Sequence, residues 1–169
     1  MSIRKTPEYI NNLLIELKNK HYPILKNNKI ILKQSRFLKK IFMITLPFSK
    51  KIYYNDRLIQ KCSNKALIGV IMHELYHLYQ FKKLKKWQKI VFIPKYHVKE
   101  SLRIKHELEA HIEVTKMGFG EELIELNHFV KIRYPKKVWD RKWSKYYLSD
   151  EKIKKLMKEQ DENDTKIQT

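Results

Sequence analysis

The sequence is poor in cysteine and in long apolar runs. The single cysteine of the 169 residues, Cys62, excludes a disulfide within the chain and fits a reducing compartment. Apolar runs such as residues 41–48, which Thr45 and Pro47 interrupt, and residues 90–93 are too short to cross a bilayer. No apolar stretch of the kind found in signal peptides follows the first residues. We therefore expect a soluble, cytoplasmic protein without a transmembrane segment.

Acidic side chains are also few, at 18 Asp and Glu against 37 Lys and Arg, which leaves a net charge of +19. Lysines are dense over residues 82–89, around Trp87. Such a surface suits nucleic acid, an anionic membrane or an acidic substrate, but lysines can also simply solvate the end of a helix. No nucleic-acid-binding motif with ordered spacing accompanies them, so the charge alone identifies no partner.

The sequence does contain His73-Glu74-Leu75-Tyr76-His77, which is the zinc-binding pattern H-E-x-x-H. Apolar residues at helical spacing surround this segment, and Ser63 is a suitable N-cap, so we expect it on a helix. Two histidines four residues apart project from one helix face and can meet at one metal ion. Glu74 can reach the open side of that metal and take a proton from its bound water. The alternative is a core helix with two hydrogen-bonded histidines.

A third ligand is expected on the following helix, because catalytic zinc usually takes three protein ligands and keeps one position for water. Pro94 suits the start of that helix and Gly118 its end. Glu107 lies on a mixed polar and apolar stripe of it, so we predict Glu107 as the ligand. His111, one turn further on, would hold the orientation of a ligand. The alternatives for the third ligand are Glu100, Glu109 and His111, and a solvated acidic face is the simpler interpretation of Glu107 and Glu109.

These motifs resemble those of the gluzincin metallopeptidases, in which a glutamate on the helix after H-E-x-x-H binds zinc. The family glutamate commonly opens E-x-x-x-D or E-x-x-A-D, and the matching stretch here is Glu107-Leu108-Glu109-Ala110-His111. The resemblance covers roughly residues 40–118 and is greatest to the soluble minigluzincins and the catalytic core of HtpX-like and prenyl-protein peptidases. Those proteins place an edge strand and a short loop before the active-site helix, and residues 51–59 look similar.

The chain departs from the family pattern at His111, where the family usually has Asp. An aspartate accepts a hydrogen bond from a zinc ligand, whereas a histidine does so in only one tautomer. The resemblance implies an α+β, mostly helical fold, with a zincin-like core and a small sheet beside the active-site helix. Within it, residues 30–40 fit a helix or an extended segment, and residues 41–46 and 51–54 are β-prone. The edge of this sheet would hold an extended peptide by strand addition.

The helices outside this core are predicted from their caps. Thr6 and Pro7 open a helix that ends near residues 20–22, and residues 120–130 form another. Ser149 caps a polar helix over about residues 150–159. We expect one metallopeptidase-like domain over residues 1–159 and a disordered tail over residues 160–169. Between the last two helices, three aromatic residues at helical spacing are expected to share one face and pack in the core, with a wall that lines the substrate as the alternative: Trp139, Trp143 and Tyr147.

The sequence thus predicts a zinc-dependent peptidase of the gluzincin type, with Zn²⁺ held by His73, His77 and Glu107, and Glu74 as general base. Its partner would be a peptide or protein substrate. One alternative is a non-catalytic regulatory protein with a structural metal, in which a fourth protein ligand, His111 or Glu100, occupies the position that a catalytic site leaves open to water. Another is a DNA-associated protease of the SprT type, with a third histidine as ligand: His97, His106 or His111. The residue that stabilises the oxyanion is not identified, and the candidates are His128, Tyr134 and Tyr146.

Overall fold

A three-stranded sheet and eight α-helices, joined by loops and by short 3-10 and π-helical turns, form the part of the chain that the structure describes. The structure is a computed structural model that covers residues 4–46 and 50–167, with the backbone alone at residues 86, 89, 93, 97 and 164–167. The helices are α1 Pro7–His21, α2 Asp56–Ile59, α3 Asn64–Lys83, α4 Lys86–Val98, α5 Glu100–Val114, α6 Gly120–Lys131, α7 Lys136–Val138 and α8 Asp150–Ile167, and the strands are β1 Ile31–Gln34, β2 Met43–Thr45 and β3 Lys51–Tyr54. This confirms the α+β, mostly helical fold. Within the described residues, no helix combines the length and the apolar character needed to cross a membrane.

The sheet is mixed and has the order β1-β3-β2. Strand β1 runs parallel to β3, and β2 runs antiparallel to it, with Met43 opposite Tyr54. The central position of β3 differs from the expectation that residues 51–59 supply an edge strand and a loop. The edge strand on the α3 side is β2, and residues Asp56–Ile59 form the short helix α2, which Asn55 caps through Leu58 N.

Helix α3 carries the H-E-x-x-H segment and lies at the centre of the molecule. Ser63 Oγ accepts a hydrogen bond from Ala66 N at 3.1 Å, so the predicted N-cap is confirmed. Most of the residues from Ala66 to His77 are buried against neighbouring helices. Gly69 permits the closest approach, because a Cβ there would lie 2.4 Å from the carbonyl oxygen of Glu122 on α6. The motif helix is therefore rigidly placed by packing on several sides.

The start of the ligand-bearing helix differs from the prediction. Pro94 lies inside α4, which ends at Val98. Lys99 has an extended backbone and separates α4 from α5, which begins at Glu100. A proline in a helix removes one backbone hydrogen bond, and side-chain packing can outweigh that loss. Phe92 supplies such packing, with its ring 5.7 Å from that of Phe81 and 4.6 Å from that of His106. At the other end, Gly118 has a φ of 87° and ends the helical path as predicted.

The N-terminal helix and the last helix begin where their caps predict. Thr6 Oγ1 accepts from Tyr9 N, and Ser149 Oγ accepts from Lys152 N. Helix α8 continues to Ile167, so residues 160–167 are helical where the sequence predicted disorder. Ion pairs at the i, i+4 spacing support this extension, among them Lys158–Glu162 at 3.8 Å.

The aromatic residues before α8 do not share a continuous helix face. A wide π-helical turn over Trp139–Trp143 and a 3-10 turn over Ser144–Tyr146 replace the expected helix. The rings of Trp139 and Tyr147 nevertheless lie 5.1 Å apart, and Trp139 is buried. These two residues therefore pack together although they do not share one α-helix.

Candidate metal centre

Three side chains from two helices converge on one point. His73 and His77 lie one turn apart on α3, and Glu107 faces them from α5. His73 Nε2 is 3.0 Å from His77 Nε2 and 3.0 Å from Glu107 Oε2, and His77 Nε2 is 3.4 Å from the same oxygen. The structure therefore brings together the three residues that the sequence predicted as metal ligands.

The orientation of His77 is fixed from outside the cluster. Gln80, one turn further along α3, places Oε1 at 2.9 Å from His77 Nδ1. A carbonyl oxygen only accepts, so Nδ1 carries a proton and Nε2 points toward His73 and Glu107, where it offers a lone pair once the ring is neutral. Such a contact to the outer nitrogen is what orients metal-binding histidines in proteins.

The electrostatics of the cluster favour a cation at its centre. Burial lowers the pKa of His77, but the Glu107 carboxylate, with smaller contributions from Glu74 and Gln80, raises it to about 9. Burial raises the pKa of Glu107, and the two histidines more than offset this, so that the pKa of this carboxyl lies well below its usual range. Without a metal, a proton would supply the positive charge that these groups share.

Glu74 is a buried carboxylate beside this cluster, with 5% of its surface exposed. Its Oε2 atom has no hydrogen-bond partner among the described residues. An ionised carboxylate oxygen in the interior is costly unless something donates to it. A water molecule or substrate group at the metal centre would be such a donor. The main chain of Glu74 is held by Thr45 of β2, whose Oγ1 donates to the carbonyl oxygen at 3.3 Å.

His111 lies beside the cluster but not in the predicted relationship to it. Its ring packs edge-to-face on His73, with 5.1 Å between the ring centroids. Nδ1 of each of the two rings is buried and has no hydrogen-bond partner in the part of the chain that the structure describes. Burial and the neighbouring His73 lower the pKa of His111 to about 3. His111 therefore contacts a ligand residue as a neutral ring, by packing rather than by the expected hydrogen bond.

The other acidic candidates on α5 have partners elsewhere. Glu109 Oε1 accepts a hydrogen bond from the Tyr76 hydroxyl at 3.2 Å. Glu100 is exposed and accepts from Lys145 Nζ at 2.6 Å and from the Tyr146 hydroxyl at 3.0 Å. Glu107 is thus the one of these three glutamates that faces the histidines.

Two of the three candidate third histidines, His106 and His111, do not join the cluster of described ligand atoms. The ring of His106 packs on Phe92, and His111 contacts His73 by its ring. The side chain of His97 falls outside the described residues.

Two tyrosines, Tyr96 and Tyr147, lie near the centre in contacts that the sequence does not predict. The Tyr96 hydroxyl donates to Glu107 Oε1 at 3.0 Å. The ring of Tyr147 packs on that of His111, with 5.4 Å between the centroids. Burial raises the pKa of the Tyr147 hydroxyl, and Glu107 and Glu74 raise it further to a smaller extent. The spacing of neither residue relative to H-E-x-x-H signals these contacts, because each depends on how α4 and the turns before α8 fold back on α5.

The residues suggested for oxyanion stabilisation have described contacts elsewhere. His128 Nε2 lies 2.7 Å from Asp150 Oδ2 at the junction of α6 and α8. Tyr146 donates to Glu100, and the ring of Tyr134 lies 5.3 Å from that of Trp143. None of these contacts is with the three converging side chains.

The donor set fits zinc. Two imidazole nitrogens and one carboxylate oxygen form one of the usual three-ligand sets of catalytic zinc, and tetrahedral bonds of about 2.0–2.1 Å place ligand atoms roughly 3.3 Å apart. The observed separations of 3.0, 3.0 and 3.4 Å are close to that value. A water at the fourth metal position would need a hydrogen-bond acceptor. Glu74, the residue next to the ligand His73, offers Oε2, which has no partner in the described part of the chain.

Comparisons with protein-family models, with curated proteins and with solved structures find no match to this chain. The chemistry of the site therefore has to be argued from its own residues.

Proposed function

We propose that the protein is a zinc-dependent peptidase of the gluzincin type. The observation that carries this proposal is the convergence of His73, His77 and Glu107 beside the buried carboxylate of Glu74, whose Oε2 atom has no hydrogen-bond partner among the described residues. A metal-binding triad alone would fit many functions. A carboxylate with an unfilled acceptor position next to that triad fits the hydrolysis of a peptide bond by an activated water.

Each residue has a separate role in this proposal. His73, His77 and Glu107 hold the ion, which when bound would make a water molecule more acidic and polarise the substrate carbonyl. Glu74 accepts the proton of the attacking water and passes it to the leaving amine. Gln80 keeps the lone pair of His77 directed at the centre. Tyr147, which packs on His111, offers a phenol that can donate to the developing oxyanion.

The sheet supplies a means of holding the substrate. Strand β2 lies at the edge of the sheet, and Thr45 at its end contacts the main chain of Glu74. An extended peptide that pairs with the outer edge of β2 would lie across the face of α3 that carries the metal centre. Backbone pairing of this kind tolerates many side chains, so the substrate class we propose is an unfolded or extended segment of peptide.

Two rival functions are less well supported by the contacts of the site. A closed structural metal would need a fourth protein ligand, but Glu100 is exposed and paired with Lys145, and His111 contacts His73 by its ring. A SprT-type site would take a third histidine, but the described residue that faces His73 and His77 is Glu107.

The test combines metal content with activity. We expect the purified chain to contain about one zinc per molecule and to hydrolyse an unfolded protein substrate. Glu74→Gln should retain zinc and lose hydrolysis, because an amide cannot accept the proton. The matched control is Glu113→Gln on α5, where the carboxylate forms a surface ion pair with Lys116 at 2.9 Å. That variant should retain both zinc and activity.

Three outcomes would contradict the proposal in different ways. A protein that neither contains zinc nor takes it up would remove the metal centre. Loss of zinc in Glu74→Gln would make Glu74 a ligand rather than a base. Full activity of Glu74→Gln on the same substrate would exclude the mechanism while leaving the metal in place.

A further inference from the structure

Helix α4 carries an apolar stripe that faces away from the protein. Trp87 is 63% exposed, Ile90 71% and Val98 83%, and Val91 and Pro94 between them are also exposed. At 100° per residue these five positions fall within about 100° of arc, so they form one continuous strip along the helix. Contiguous exposed apolar surface of this kind marks an interaction site in a folded protein.

The outward direction of this stripe is fixed by the opposite face of the same helix. Phe92 packs on Phe81 and His106, and Tyr96 donates a hydrogen bond to Glu107. These inward residues sit about 140–180° around the helix from Trp87. Because α4 is docked by its aromatic face, the apolar stripe cannot turn inward without breaking those contacts.

The charged residues within α4 itself are all lysines. From residue 75 to residue 99 the chain has seven lysines and no Asp or Glu. Of these lysines, Lys82 and Lys83 at the end of α3, Lys85 before α4, and Lys95 and Lys99 are exposed. An apolar strip bordered by lysines matches a surface with apolar chains beneath negative head groups.

We propose that α4 docks the protein on an anionic lipid surface, with the stripe of Trp87, Ile90, Val91, Pro94 and Val98 inserted at the head-group level. Tryptophan favours that level because its ring is apolar and its N–H is polar. The lysines bind the acidic lipids and the stripe supplies the apolar contact, so neither alone gives full binding. This docking requires neither the metal nor the proposed peptidase activity.

The first experiment measures co-sedimentation of the full chain with vesicles. We expect binding to vesicles of phosphatidylcholine with phosphatidylserine, much weaker binding to phosphatidylcholine alone, and release as salt rises from about 0.1 M to about 0.5 M. The double variant Ile90→Ser, Val98→Ser should bind about tenfold or more weakly. The matched control is Phe37→Ser, Ile132→Ser, which removes two side chains outside α4 that are 93% and 78% exposed and should leave binding unchanged.

A second measurement keeps the stripe apolar. Vesicles with brominated acyl chains should quench the fluorescence of the unaltered protein, and Trp87→Phe should remove most of that quenching, since Trp139 is buried and Trp143 is only partly exposed, in the turns before α8. Three results would overturn the proposal: no binding to the anionic vesicles, equal binding by the α4 double variant, or no quenching of Trp87. A concentration-dependent dimer that the α4 double variant abolishes, without vesicle binding, would instead assign the stripe to a second copy of the chain.

Discussion

The Tyr96 hydroxyl donates a 3.0 Å hydrogen bond to Oε1 of Glu107, the carboxylate whose other oxygen faces the two histidines of the candidate metal centre. Burial and the Glu107 charge raise the pKa of Tyr96, so the phenol keeps its proton and stays a donor at neutral pH. The bond comes from α4, so it fixes the rotation of a ligand that lies on a different helix. Tyr96 thus links the outward-facing helix to the metal centre.

Tyr96→Phe should weaken zinc binding by about tenfold, because groups that orient metal ligands typically contribute that much or more to affinity. The change keeps the ring and removes the donor to Glu107. Tyr76→Phe is the matched control, since its hydroxyl donates at 3.2 Å to Glu109, which has no contact with the histidines. Competition with a chromophoric chelator would measure both affinities. Equal losses in the two variants would mean that Tyr96 does not orient the ligand.

Glu107→Ala should weaken zinc binding far more than Glu109→Ala. The two residues are two positions apart on α5, so their side chains point about 200° apart around the helix and only one can face the histidines. Zinc titrations of both variants under the same conditions decide this. A larger loss of zinc affinity in Glu109→Ala would make Glu109, two residues further on, the third ligand. Small and equal losses of affinity would favour a histidine as the third ligand.

The helical metal motif could be predicted because its information is local. The i, i+4 spacing of His73 and His77 and the cap at Ser63 depend on one helix alone, and the structure has both as predicted. Glu107 was also predicted from the stripe of its own helix, without knowledge of how α5 packs on α3. The zinc itself and the peptidase activity stay predictions.

Features that depend on packing between elements could not be predicted. The sequence around Pro94 predicts a helix entrance because proline disfavours a helix interior, but contacts of Phe92 and Tyr96 outweigh that preference. The central place of β3 is a matter of strand order, which short β-prone segments do not encode. The ring contact between His111 and His73 likewise depends on the angle between α3 and α5.

Gly69→Ala should lower the free energy of unfolding by about 1–3 kcal/mol, since overpacking costs that much and exceeds the gain in helix propensity. The new Cβ would meet the backbone carbonyl of Glu122 at 2.4 Å, and a backbone group between two packed helices cannot move aside. Gly120→Ala is the matched control, because its Cβ would meet the flexible side chain of Met157 instead. Urea denaturation of both variants tests the difference. Equal stabilities would show that α3 and α6 can separate at little cost.

Zinc binding should release a proton at neutral pH, and the source should be His77. In the metal-free protein burial lowers the pKa of His77, but the Glu107 carboxylate more than offsets this and raises it to about 9 from an ordinary value of 6.5. A raised pKa means that the bound proton stabilises the metal-free fold fully below pH 6.5 and that this stabilisation is lost as the pH rises through about 9.

Zinc must displace that proton to reach Nε2, so its apparent affinity should rise with pH until His77 is neutral in the metal-free protein. Calorimetric titrations of the metal-free protein with zinc, in two buffers of different ionisation enthalpy, give the number of protons released. We expect His77 to release about one proton per zinc bound near pH 7, and fewer as the pH rises above about 9. Release that stays constant across that range would place the proton on another group, and no release near pH 7 would mean that His77 is already neutral before the metal binds.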